Sequence, residues 1–210
     1  MKRLIPVFLF IISLNTASAQ KVTPVDSAGA KLKRFYLSRN VENLWLPNHH
    51  INWETGEPDD PSATHGIKTH CSSFVASVCK QKDVYILRPP AHKTELLASA
   101  QYDWLFSDDG LRQGWKPITE NIYAKAQELA NRGFIVTAVY RNSDPHRPGH
   151  IALVMPDEKS LDDLANEGPT MIQAGLVNKN FISLKDGFSH HIRDWTSATQ
   201  DIAFFYNQNK

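Results

Sequence analysis

Between residues 71 and 81 the chain reads Cys-Ser-Ser-Phe-Val-Ala-Ser-Val-Cys-Lys-Gln, with apolar positions at Phe74, Val75, Val78 and Cys79. That spacing predicts a helix with one face fit for a core. Thr69 is a favourable N-cap residue, which predicts His70 at the first helical position and Cys71 at the second. Other stretches carry the same period. Residues 27–46, with Leu37, Val41, Leu44 and Trp45, predict an amphipathic helix stopped by Pro47. Thr94 predicts the start of a helix carrying Leu96, Leu97, Ala100, Trp104 and Leu105. Thr119 predicts another, with Ile122, Ala126, Leu129 and Ala130 on one face and Gly133 at its end.

The period then shortens. Residues 134–140 and 150–155 predict two buried strands joined by a Pro-rich connection, and 170–177, 180–184 and 202–206 predict three more. A short helix is expected at 160–167, and a strand or turn at 84–87. Helices first and antiparallel strands afterwards predict an α+β domain. Residues 48–69 read as a long polar loop, and loops of that length inside compact domains tend to be functional or disordered. This one leads directly into Cys71.

The first residues change the picture of where the chain works. Lys2 and Arg3, an apolar run over 4–14 and Ala17-Ser18-Ala19 have the form of an export signal cleaved after Ala19. The apolar run is too short to span a bilayer, and no later run is longer. The expectation is an exported protein, periplasmic or extracellular, whose residues 20–210 form a single domain. The full chain's formal charge of +1, which falls to −1 without Lys2 and Arg3, gives no electrostatic case for nucleic acid or an anionic membrane as a partner.

Cysteine usage narrows the chemistry. Cys71 and Cys79 are the two cysteines. On one helix they would stand about 12 Å apart, beyond the reach of a disulfide. A free thiol at the start of a helix sits at the positive end of the dipole, where the thiolate is favoured and the pKa falls. Cys79, deeper in the apolar stripe, reads as a core residue.

A cysteine nucleophile needs a histidine and a group to orient it. His150, at the start of the second strand, is the candidate histidine. Gln173, on the third strand, offers a carbonyl oxygen to accept the Nδ1 proton of that ring. Asn178, Asn180, His190 and His191 are alternatives for the third position. Nine histidines also raise the question of a metal, with His49, His50, His65, His70, His190 and His191 near Asp59 and Asp60 in part. None of them falls in a His-Glu-x-x-His or Cys-x-x-Cys pattern, so no metal and no cofactor is assigned.

Thr-His-Cys-Ser-Ser-Phe-Val at a helix start, Gly-His-Ile-Ala-Leu-Val on a strand and a polar residue on the next strand resemble the papain-like cysteine peptidases of the NlpC and CHAP kind. The resemblance covers roughly residues 65–206. It implies a papain-like fold and cleavage of amide bonds in the peptides of bacterial peptidoglycan. Carried over, it makes Cys71 the nucleophile, His150 the base and Gln173 the third member. Trp53 in the polar loop, with His70 and Ser72 beside the cysteine, are the candidate substrate contacts. The interval between Cys71 and His150 is long for compact members, and Arg132-Gly133-Phe134 stands where Gly-Asp is frequent. An alternative of another class is a non-catalytic exported protein of the same fold that binds cell-wall or protein ligands.

Overall fold

The computed structural model describes residues 23–63, 68–192, 195 and 201–207. The expected export signal lies outside the described residues, as does His65. No described helix is long and apolar enough to cross a membrane.

The first described element is α1 (Ser27–Ser38), capped by the Asp26 carboxylate, which accepts from the N–H groups of Ala28 and Gly29. This helix is shorter than the sequence predicts. Asn40 adopts φ 49°, a left-handed conformation that ends the helix well before Pro47. Val41 and Trp45 are nevertheless buried, because the turn that carries them folds beneath the core. Residues 48–69 are not a featureless loop: β1 (His50–Ile51) and β2 (Pro58–Asp60) pair as a small antiparallel ribbon.

Next comes α2 (Cys71–Gln81). His70, rather than Thr69, is its N-cap, so Cys71 is the first helical residue. It is followed by α3 (Leu97–Phe106) and the short α4 (Asp108–Arg112). Neither Thr94 nor Thr119 caps a helix: left-handed Leu96 precedes α3, and left-handed Asn121 precedes α5 (Ile122–Asn131). Residues 84–87 form no strand. Instead Tyr85 uses its carbonyl to accept from the Trp115 indole N–H at 2.7 Å.

The remaining elements are β3 (Trp115–Pro117), β4 (Val136–Tyr140), β5 (His150–Val154), α6 (Leu161–Glu167), β6 (Thr170–Gln173), β7 (Lys179–Ser183), α7 (Leu184–Gly187) and β8 (Ile202–Asn207). Among the described residues six strands form one sheet in the order β3-β8-β4-β5-β6-β7. Every adjacent pair is antiparallel. The architecture is α+β.

Strand alternation divides the core into two layers. Ile151 and Leu153 of β5 and Ile172 of β6 face Phe74, Val75 and Val78 of α2. Ala152 and Val154 of β5 and Met171 of β6 face Ala126, Leu129 and Ala130 of α5, together with Leu184 and Phe188. The sheet is therefore covered on both sides. Which face a strand residue takes decides which helix it can meet.

Candidate functional site

The first half of the site is built by α2. With no side chain capping its start, the free N–H groups of the first turn surround Cys71. The Cys71 thiol is 5% exposed and makes no disulfide. Burial pushes its pKa up. The N–H groups of Ile151, Ser72 and Cys71 itself, with the Ser72 hydroxyl, draw it back in part. The fall in pKa expected from the helix dipole is thus overturned, because desolvation outweighs the favourable N–H groups. Cys79 lies deeper, and burial carries its pKa to about 12.

Cys71 lines a cleft of about 880 Å³ together with Trp53, His70 and Ser72, the three expected substrate contacts. His70 donates from Nε2 to the His49 carbonyl at 2.9 Å, and burial lowers its pKa. That bond fastens the β1–β2 ribbon to the start of α2. On the ribbon, His50 Nδ1 bonds the Asp59 carboxylate, and both side chains line the same cleft. The Trp53 ring carries Lys80 Nζ 5.3 Å from its centroid.

The second half is built by β5, β6 and the segment after α7. His150 is buried, and its Nε2 stands 3.1 Å from Gln173 Oε1. Gln173 Nε2 donates to the Val177 carbonyl at 3.1 Å. A carbonyl only accepts, so this bond fixes the orientation of the amide. Oε1 must then receive the His150 proton, which puts the proton on Nε2 and leaves Nδ1 as the basic nitrogen. The expected pairing of His150 with Gln173 is present, but through Nε2 rather than Nδ1.

Two further rings enclose His150. Phe188 meets it edge-on at 4.6 Å, and His191 stacks on it at 5.0 Å with 14° between planes. Burial first, then the neighbouring His191 and His190, press the His150 pKa down to about 3, against the Gln173 hydrogen bond. His150 is neutral at neutral pH.

The two halves do not meet. His150 follows the face of β5 that carries Ala152 and Val154, as its contact with Phe188 shows, whereas Cys71 packs with Ile151 on the opposite face. Among the described residues no hydrogen bond joins Cys71 to His150. The thiol opens into the first cleft. His150 and Gln173 open into a second, of about 670 Å³. Thr69, Pro148 and Gly149 line both and form the ridge between them. The alternation of β5 sets this arrangement: Ile151, not His150, points at α2.

The alternatives for the third position have other duties. Asn178 Nδ2 donates to the carbonyls of Val41, Leu44 and Trp45, and its Oδ1 accepts from the Gly175 N–H. It clamps the turn after α1. The Asn180 N–H donates to Glu42 Oε1 at 3.2 Å. His191 touches His150, but by ring stacking rather than by a hydrogen bond. Among the described residues no cluster of three or more His, Cys, Asp or Glu side chains could hold a metal ion. Sequence reasoning missed the Phe188 contact and the His50–Asp59 pair. The alternation within His-Ile-Ala-Leu-Val was the available signal for the face that His150 takes.

No family model matches the chain, and no curated protein matches it.

Proposed function

We propose that the protein is an exported cysteine hydrolase of papain-like NlpC/CHAP type, cleaving an amide bond in the peptides of bacterial peptidoglycan. The observation that carries the reading is the His150–Gln173 pair, which begins one residue before the Ile151 N–H that contacts the Cys71 sulfur. Helix-start thiol, strand-start imidazole and orienting amide thus lie on adjacent elements, at one end of the sheet.

In the reaction, His150 Nδ1 takes the Cys71 proton as sulfur attacks the carbonyl carbon. The N–H groups at the start of α2 hold the oxyanion. The imidazolium returns its proton to the leaving amine nitrogen, and the C–N bond breaks to give a thioester. Water then adds, giving up a proton to Nδ1, and the carboxylic acid product leaves as the thiol is restored. The resting site is uncharged and uncoupled. The reaction therefore requires the ring to come round the Gly149 ridge to the sulfur, a motion at the end of β5.

A second reading has its own observation in its favour. A buried neutral thiol and a neutral imidazole on opposite sheet faces suit a non-catalytic binding protein of the same fold. Digestion of purified peptidoglycan by wild type, Cys71→Ala and His150→Ala, read by mass spectrometry, separates the two. Fragments from wild type alone establish the hydrolase. Co-sedimentation with peptidoglycan and no fragments from any of the three establishes the binding protein.

A further inference from the structure

The second cleft contains more than a catalytic dyad needs. Arg147 and His191 both line it, and the His191 pKa is lowered by burial first, then by the charges of His190 and Arg147. Among the described residues no carboxylate pairs with Arg147. The one carboxylate in the described lining, Asp186, already accepts from the Ser183 hydroxyl at 2.9 Å, and that hydroxyl in turn accepts from the Asp186 backbone N–H at 3.0 Å. His190 and His191 add ring N–H groups on the same wall. Leu176 and Val177, exposed at 52% and 43%, line the same cleft. A cation, hydrogen-bond donors and exposed aliphatic side chains thus share one cavity.

We propose that this cleft binds the C-terminal end of a short peptide, with its free carboxylate on Arg147 and the histidine wall and its aliphatic side chain against Leu176 and Val177. A carboxylate offers the bidentate acceptor that a guanidinium fits, and an arginine without a carboxylate partner among the described residues is a ready partner for one. The aliphatic wall gives the last side chain a place to leave water. Neither requirement involves Cys71, so the site stands under the hydrolase reading or the binding reading. If the protein is the hydrolase, the cleft lies on the imidazole side of the ridge, where the leaving amine departs, and the enzyme releases a short fragment ending in a free carboxylate.

The probe is N-acetyl-alanyl-leucine, compared with its C-terminal amide, titrated into the full mature chain carrying Cys71→Ala so that nothing is cleaved. The readout is the histidine ring signals by NMR. The proposal expects a saturable shift of the His191 and His150 rings with the acid and little with the amide. It also expects Arg147→Gln to weaken acid binding by about tenfold or more. Arg147 is exposed, so that substitution leaves the fold intact, which the unchanged spectrum of the free variant confirms. Equal shifts with acid and amide overturn the carboxylate assignment. Unchanged acid binding in Arg147→Gln, or no ring shift at millimolar peptide, overturns the site. None of these outcomes depends on whether wild type digests peptidoglycan.

Discussion

Gln173 holds His150 by Nε2 at 3.1 Å, and Gln173 is itself held by the Val177 carbonyl. The two bonds together set the tautomer of a buried ring. Replacing Gln173 with Ala leaves the Nε2 proton without a partner in a buried site. A buried donor left unsatisfied costs about 1–3 kcal/mol. Urea unfolding of Gln173→Ala should show a loss of that size. A loss within error of zero would mean that the ring finds water or another acceptor, and that Gln173 does not orient it.

The same relationship can be disturbed from behind. A Cβ on Gly187 would stand 2.7 Å from Gln173 Oε1, closer than such contacts are tolerated, whereas a Cβ on Gly175 would stand 3.6 Å from His150 Cε1, an ordinary contact. Gly187→Ala should therefore displace the amide and shift the His150 ring signal by NMR. Gly175→Ala should leave it close to its wild-type position. Equal effects from the two would show that the amide is not confined by Gly187.

The two thiols should differ in reactivity for a physical reason. Only the thiolate is nucleophilic, and burial raises the pKa of both. Cys71 lines a cleft, while Cys79 is fully buried in the α2 stripe. Iodoacetamide should modify Cys71 slowly at neutral pH, faster as the pH rises, and Cys79 only after unfolding. Peptide mapping by mass spectrometry at several pH values checks this. Rapid alkylation of Cys71 at neutral pH would show that its thiolate is populated at rest.

Asn178 is a test of structure rather than chemistry. Its amide closes the turn after α1 through three carbonyls and takes the Gly175 N–H besides. Asn178→Ala removes every one of these bonds, and the protein should lose about 2 kcal/mol or more in urea unfolding. Ring signals of His150 should stay in place, since Asn178 does not touch it. A moved His150 signal with unchanged stability would reverse the assignment.

Much of the fold was legible because burial follows periodicity. Phe74, Val75 and Val78 declared α2, and the runs around Val136 and Ile151 declared β4 and β5. Helix ends were less legible: Asn40, Leu96 and Asn121 stop or start helices through left-handed backbone, which Asn tolerates better than most non-glycine residues but Leu does not. The His150–Gln173 pair was legible as two polar residues on neighbouring strands. Its separation from Cys71 lay in the alternation of His-Ile-Ala-Leu-Val, which turns His150 to the face opposite Ile151. The electrostatics of Cys71 were legible only in part. A helix start is visible in sequence, but the burial that overrides it comes from the strand packed on top.

That burial also makes His150 an acid-sensitive element. Its pKa in the folded protein is about 3, against roughly 6.5 for an unperturbed histidine. Between those values the unfolded chain binds a proton at this position that the folded protein refuses. Stability from the neutral buried ring is thus fully present above about pH 6.5 and is lost as pH falls toward 3. One such group contributes a slope of up to about 1.4 kcal/mol per pH unit across that window. The measurement is urea stability from pH 7 to pH 4 in wild type and in His150→Gln, which keeps a polar side chain but cannot titrate. The wild type should fall more steeply with acid, the difference opening below about pH 6.5. Parallel curves would mean that the ring is protonated without resistance, and that the stack of Phe188 and His191 around it is open to water.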